Sequence, residues 1–211
     1  MHKKVAQNLI FAVSLLCGLA TGCMQAPAIH QSDLVNLNQE IQTHGVIQQS
    51  DVTLYLRTRL TALGVPQIKV IVLNDTRPRA FSSTREILLS RGLLTRLRDA
   101  SCLDFILAHE AAHILLRHSS STQSRFELES QADISAAELL TKKQLLSPTI
   151  LTLFDPYSAY LETISEPAPG LYPSPAQRRD ALLPFITNTS TTLSSVHEKE
   201  FQLMRKILLN F

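Results

Sequence analysis

Residues 107–118 read LAHEAAHILLRH and place two histidines and a glutamate in the middle of an otherwise apolar segment. His109 and His113 are four residues apart, so on an α-helix they lie on one face, about one turn from each other. Two imidazoles at this separation can both reach one zinc ion at about 2.0–2.1 Å. Glu110 lies beside the pair and can accept a proton from water that such a metal activates. The stretch therefore predicts a helix that carries a metal site.

The three polar side chains have a second interpretation as ordinary polar groups of a core helix. Apolar residues cover nearly the whole circumference of residues 101–118, and this pattern is typical of a buried helix. Burying an imidazole or a carboxyl group without a partner costs several kcal/mol. The second interpretation therefore requires hydrogen-bond partners from other segments, whereas a metal site explains all three residues together.

A third metal ligand is expected on the next predicted helix, over residues 125–143, because a hydrolytic zinc site has three protein ligands and leaves the fourth position to water. The candidates are Glu127, Glu129 and Asp133. Glu129 and Asp133 are four apart and share a face, so a ligand glutamate can lie beside an aspartate that orients a ligand histidine. For either acid, the alternative is a solvated helix face.

The segments around this pair of helices predict an α+β fold, mostly helical with a small sheet. Residues 67–74 and 85–90 are short and β-rich, so each predicts a strand, and the turn-like residues 74–84 join them. Apolar residues at helical spacing also predict helices over residues 51–63 and 92–100, in addition to those over 101–118 and 125–143.

The C-terminal third begins with the proline-rich, irregular segment 148–175. Ser174 then opens a capping box, with proline next and glutamine three residues on, so a helix is predicted through Arg178. The last residues place an apolar stripe on a final helix, which predicts packing on the core or, alternatively, a partner surface. The stripe consists of Phe201, Met204, Ile207, Leu208 and Phe211.

The N-terminus predicts an export signal. Two lysines precede an apolar run from Leu9 to Ala20, which has the length of a signal peptide and is too short to span a bilayer. Small residues before Cys23 resemble a bacterial lipobox, which implies a signal peptide over 1–22 and a lipid on Cys23. A plain secretory signal with a chance cysteine is the alternative. The expected organisation is a lipidated tether over 23–44 and one domain over 45–211.

Composition excludes some classes of partner and of covalent link. The net charge is only +2 and the basic residues are scattered, so no nucleic-acid partner is expected. Of the three cysteines, Cys102 alone would remain unmodified in the mature chain, so no intrachain disulfide is expected. We interpret Cys102 as a small buried hydrophobe.

The two motifs AHEAAHILLRH (108–118) and ESQAD (129–133) resemble the HtpX/Oma-like family of membrane-associated zinc endopeptidases, also called CAAX-endopeptidase-like gluzincins, in its periplasmic lipoprotein branch. The resemblance implies a zincin-like fold and one zinc ion per chain. It also implies the following roles: zinc ligation by His109, His113 and Glu129, the general base by Glu110, and support behind the ligands by Asp133. His118 matches a histidine that often follows the family's first motif, and we interpret it as structural.

Two further stretches resemble the same family. Residues 79–94 resemble the segment before the zinc helix, whose strand lies at the edge of the cleft and pairs with substrate. YPSPAQR (172–178) resembles a His-Pro-x-x-x-x-Arg segment, with Tyr172 at the histidine position. Tyr172 is thus a candidate hydrogen-bond donor to an oxyanion or a packing residue. Arg178 is a candidate for support behind the ligands, together with Asp133, and it either holds the nearby loop by hydrogen bonds or faces solvent. Arg79 departs from the family's asparagine.

The resemblance implies an endopeptidase that cleaves misfolded or unassembled proteins of the cell envelope, anchored by lipid and facing the periplasm. An aspartate after the lipidated cysteine resembles a signal for retention in the inner membrane. Because Met24 and Gln25 follow Cys23 instead, the outer membrane is the expected location. Two other classes stay open: a non-catalytic zinc-fold lipoprotein that binds envelope partners, and a structural lipoprotein without metal. The presence of Glu110 favours the endopeptidase over the non-catalytic lipoprotein, because a purely structural metal site does not require a general base. Residues 148–175 are also a candidate loop that closes the cleft.

Overall fold

The structure, a computed structural model, describes residues 37–155, 158, 170–187 and 195–211. The predicted signal peptide, the lipobox and Cys23 lie outside the described residues, as does part of the predicted irregular segment 148–175. Within the described ranges, none of the helices combines the length and the apolar character needed to cross a membrane.

The described part is mostly helical with one small sheet, which confirms the prediction of an α+β architecture. Its elements, in chain order, are α1 (Leu37–His44), α2 (Ser50–Leu63), β1 (Lys69–Leu73), β2 (Ala80–Ser82), β3 (Glu86–Ser90), α3 (Arg91–Arg96), α4 (Ala100–Leu115), α5 (Arg125–Lys142), α6 (Pro175–Ile186) and α7 (Ser195–Leu208). Two short 3-10 helices lie at His118–Ser120 and Pro148–Phe154. The second one corrects the prediction that residues 148–175 are irregular from their start.

The sheet differs from the prediction in its number of strands and in the position of the last one. Residues 74–84 were expected to be a turn, but they contain the short strand β2, so the sheet has the order β1-β3-β2. β3 pairs in parallel with β1 and antiparallel with β2. The strand 85–90, expected at the edge of the cleft, is therefore the middle strand, and its backbone is not free to pair with a substrate. β2 is an outer strand instead.

Helix α4 is the centre of the fold and is buried from Ala100 to Ala112. It packs against β2, β3, α2, α5, α7 and the 3-10 helix at Pro148–Phe154. The predicted helix over 101–118 is too long, because α4 ends at Leu115 and the chain turns away. Leu115 and Leu116 are 53% and 48% exposed, so the expectation of burial on all sides holds only for the first thirteen residues.

The two helices that flank the site begin where capping residues place them. Ser174 and Gln177 form the predicted capping box of α6, and the structure confirms it. Ser124 and Glu127 form a second capping box at the start of α5. α5 and α6 pack against each other, and α5 also packs along α4. This packing brings the N-terminal halves of α5 and α6 to the histidines of α4.

The first and last helices also contribute to the packed structure. α1 lies within the range expected to be a tether, and its Glu40 accepts two hydrogen bonds from Arg79. In α7, Phe201, Met204 and Leu208 are buried, as predicted for a core stripe. Phe211 was predicted on the same stripe, but it follows the end of the helix and is exposed.

Candidate metal site

Three side chains from α4 and α5 converge on one point. His109 Nε2 lies 3.1 Å from His113 Nε2 and 3.3 Å from an oxygen of Glu129. His113 Nε2 lies 3.5 Å from the other oxygen of Glu129. The three side chains form the group of potential metal ligands that the described residues contain. Helical spacing explains the histidine pair, and the packing of α5 along α4 adds the carboxylate.

The separations between these atoms fit a single zinc ion. Ligands at about 2.0–2.1 Å from a tetrahedral centre are about 3.3 Å from one another. The three separations, from 3.1 to 3.5 Å, lie on both sides of that value, with one oxygen of Glu129 facing each histidine. Two imidazoles and one carboxylate are also a ligand set that zinc accepts when it keeps its fourth position open. The residues present therefore fit the metal that the sequence predicts.

The electrostatic state of the ligands suits metal binding. Burial lowers the pKa of His113 to about 3, so its imidazole is neutral at ordinary pH and a lone pair is available. Burial alone would raise the pKa of Glu129, but the hydrogen bond with His109 and the positive charge of the nearby Arg178 act against burial, and the pKa is lowered to about 2. Glu129 is therefore a carboxylate, the form that can ligate a cation.

Glu110 is buried next to the group of ligands and does not belong to it. Burial raises its pKa to about 7, although the neighbouring His109 and a hydrogen bond with the Ser82 side chain act in the opposite direction. A carboxyl group with a pKa near 7 can both accept and return a proton at neutral pH. Ser82 lies on β2, so the outer strand of the sheet borders the site.

Asp133 lies behind the ligands and contacts two of the predicted site residues. Its Oδ1 is 3.0 Å from His109 Nδ1, the ring nitrogen that faces away from the site. Arg178 Nε and Nη2 donate to Oδ2 and Oδ1 of the same carboxylate at 2.7 and 2.6 Å. Burial raises the pKa of Asp133, but these hydrogen bonds outweigh it and keep the group ionised.

Arg178 does not face solvent, which was one of its sequence-based interpretations, and its guanidinium lies behind the metal group, where it donates to Asp133. It is 3% exposed, and its guanidinium lies over the ring of Phe154 at 5.0 Å from the ring centre. Its Nη2 is 4.0 Å from Glu129, so it also faces the carboxylate of the metal group. The arginine thus places a positive charge behind both acids of α5.

Two other candidate residues make no contact with the metal group that the described residues show. Glu127 is not near it, because its side chain accepts from the backbone of Ser124 at the start of α5. Tyr172 is half-buried, and no hydrogen bond joins its side chain to the described residues. Its role stays a prediction.

Ser82 was not predicted as a site residue from the sequence, because no local pattern links a short strand to a glutamate 28 residues later.

Comparison with known families agrees with this geometry. The family model described as peptidase family M48 matches residues 47–145, which include α2 to α5, the whole sheet and all three potential ligands. The match supports assignment to the M48 metallopeptidases and indicates a peptidase. Peptidases of this family are typically zinc-dependent. No curated protein matches the chain.

Proposed function

We propose that this chain is a zinc-dependent endopeptidase with a zincin-like fold, in which His109, His113 and Glu129 hold one zinc ion. The observation that carries the proposal is the convergence of these three side chains at separations that suit one tetrahedral ion. The family match, which supports a metallopeptidase, is an independent argument for the same chemistry. The HtpX/Oma-like lipoprotein branch is part of the proposal.

When bound, zinc supplies Lewis-acid chemistry, which acidifies water and polarises a peptide carbonyl. Glu110 is the general base and accepts the proton of the attacking water through its buried carboxylate. Glu110 then returns that proton to the amine that leaves. Asp133 orients His109 through its Nδ1, and Arg178 keeps Asp133 ionised and in place. Tyr172 is a candidate donor to the oxyanion.

The outer strand β2 offers a way to hold the substrate. A polypeptide that adds to the side of β2 where no strand pairs with it in the described part of the chain would place a peptide bond near Glu110, because Ser82 of β2 interacts with that glutamate. Main-chain pairing depends little on side-chain identity, so it suits unfolded segments with varied sequences. This supports misfolded or unassembled envelope proteins as the substrate class. The proposed location is the periplasmic face of the outer membrane, through a lipid on Cys23.

The decisive experiment measures zinc-dependent cleavage of an unfolded protein, casein, by the wild type and by Glu110→Gln. The substitution keeps the shape of the side chain and removes the base, so we expect kcat/KM to fall by about 10²–10⁴-fold or more. Zinc stoichiometry, measured on the same samples, should remain one per chain. Glu138→Gln, at an exposed position of α5, is the matched control and should cleave as the wild type does.

The possible results separate the three classes of function. Cleavage by the wild type and the control, with loss in Glu110→Gln, supports the peptidase. Full cleavage by Glu110→Gln contradicts the assignment of the base. Zinc binding with no cleavage by any variant favours the non-catalytic lipoprotein or a closed cleft, and absence of zinc from every sample favours the structural lipoprotein.

A further inference from the structure

We infer that His118 is a positioning residue for the metal site: its Nδ1 accepts a hydrogen bond from His113 Nδ1–H and thereby directs the lone pair of His113 Nε2 at the ion. The inference rests on the proposed zinc site. It changes the sequence-based interpretation of His118 as a structural residue. It also assigns to His113 the kind of support that Asp133 gives to His109.

The geometry of the two rings carries the argument. The Nδ1 atoms of His113 and His118 are 2.9 Å apart, which is a hydrogen-bond distance, and the ring planes are almost perpendicular. Only one proton can lie between two ring nitrogens. His113 Nε2 faces His109 and Glu129, so it must be unprotonated to ligate a metal, and the ring proton is then on Nδ1. His113 is therefore the donor and His118 the acceptor.

The backbone around residue 117 is arranged to make this contact. If α4 continued, residue 118 would lie about 140° around the helix from residue 113 and would point away from it. Instead, Arg117 adopts a left-handed conformation with φ 55° and ψ 41°, and the 3-10 helix at His118–Ser120 follows. A non-glycine residue in this region costs about 1–2 kcal/mol. This conformational cost is incurred at the turn that places His118 against His113.

The burial of His118 points in the same direction. The side chain is 6% exposed and interacts with the side chain of Gln131 on α5, although no hydrogen bond of good geometry reaches its Nε2 within the described residues. If Nδ1 accepts from His113, the single proton of a neutral His118 is on Nε2, where it is a buried donor. A residue needed only to fill space would be apolar, since an unpaired buried donor costs about 1–3 kcal/mol. The contacts with His113 and Gln131 together give a reason for a histidine here, and the contact with His113 is the one that reaches the metal group.

The test compares two substitutions at this position by zinc affinity, measured at a fixed pH by competition with a fluorescent chelator. His118→Phe keeps the size of the ring and removes the acceptor, whereas His118→Asn offers an amide oxygen near the position of Nδ1. We expect the phenylalanine variant to bind zinc about 10–100-fold more weakly and the asparagine variant to recover most of this loss. Ser119→Ala, exposed on the same 3-10 helix, should bind as the wild type does.

Each result bears on the inference separately from the proposed function. Equal zinc affinity in the wild type and His118→Phe overturns the inference and leaves the zinc site intact, and so does a failure of asparagine to recover affinity. Absence of zinc binding by the wild type overturns both. If the variants do not fold, nitrogen NMR of the zinc-loaded wild type decides: protons on His113 Nδ1 and His118 Nε2 support the inference, and a proton on His118 Nδ1 overturns it.

Discussion

A single carboxylate, that of Asp133, links the metal site to the rest of the fold. It lies 3.0 Å from His109 Nδ1 and accepts two hydrogen bonds from Arg178, and both charged partners are almost fully buried. A buried ion pair gains stability only if its lone pairs and protons are satisfied, and this geometry satisfies them. Metal binding and folding should therefore depend on the same side chain.

Asp133→Asn tests this dependence. The amide keeps the shape but removes the carboxylate that pairs with Arg178 at short range, and Glu129 at 4.0 Å compensates that charge only in part, so we expect a loss of about 3–5 kcal/mol in the free energy of unfolding. Since His109 also loses its charged partner, zinc should bind about 10–100-fold more weakly. Urea unfolding of the metal-free protein and a zinc titration measure the two effects. Asp180→Asn, at an exposed position of α6, is the control. Unchanged stability would contradict the importance of this pair.

At the residue scale, spacing within one helix was sufficient to predict which side chains lie together. The i,i+4 rule placed His109 with His113 and Glu129 with Asp133, and the structure brings these pairs into one cluster. Contacts across long stretches of chain could not be predicted in this way. Arg178 reaches Asp133 from 45 residues away, and a capping box predicts a helix without telling what it packs against.

At the scale of elements, a buried ion pair between α2 and α4 fixes the helix that carries the histidines. Arg59 Nε and Nη2 donate to the two oxygens of Asp104 at 2.8 and 2.5 Å. Both side chains are 1% exposed or less. Asp104 lies five residues before His109, so this pair holds α4 from the side opposite to α5. The orientation of α4 therefore depends on α2 as well as on α5.

The pair can be tested with a single and a double substitution. Asp104→Asn leaves Arg59 charged and buried without a counter-ion, so we expect about 3–5 kcal/mol of destabilisation in urea unfolding. Arg59→Met combined with Asp104→Leu removes both charges and should destabilise less than the single change. Arg57→Met, at an exposed position of α2, is the control. A double variant that is less stable than Asp104→Asn would show that the pair is favourable beyond its charge balance.

Element boundaries were less predictable than element types, for reasons that lie in tertiary structure. β2 has three residues, which is too short for an alternating pattern to emerge, and pairing with β3 is what makes it a strand. The end of α4 was placed three residues too late, because Leu115 and Leu116 continue the apolar pattern while the backbone already turns. In both places the structure departs from the local pattern next to the metal site.

At the scale of the whole molecule, a cluster of charged side chains joins α1 to the loop between β1 and β2. The buried Asp75 accepts hydrogen bonds from Arg77 and Arg79, and Arg79 also donates to Glu40 of α1. The sequence resemblance implies that Arg79 takes a position where asparagine is common, and this cluster gives an arginine there a structural role. The loop leads directly into β2, so the cluster connects the N-terminal helix with the strand that borders Glu110.

The charged cluster predicts a specific dependence of stability on pH. Burial raises the pKa of Asp75, but the hydrogen bonds from Arg77 and Arg79 outweigh it and lower the pKa from 3.8 to about 2. Because the pKa is lower in the folded state, this contribution to stability is fully present above about pH 4–5 and is lost as the pH falls towards 2. Asp75→Asn should therefore be clearly less stable than the wild type at pH 6, and the difference should shrink at pH 3.

Urea unfolding at pH 6, 4.5 and 3 measures that difference between the wild type and Asp75→Asn. The comparison reports on the charged cluster, because Glu129, whose pKa is also lowered, lies outside it and cancels, whereas Glu40 shares Arg79 with Asp75 and titrates as part of the cluster. Asp51→Asn, at an exposed position in the first turn of α2, should differ little from the wild type at any of the three pH values. A difference for Asp75→Asn that stays constant from pH 6 to pH 3 would mean that the arginines stabilise this loop through packing, independently of the charge of Asp75.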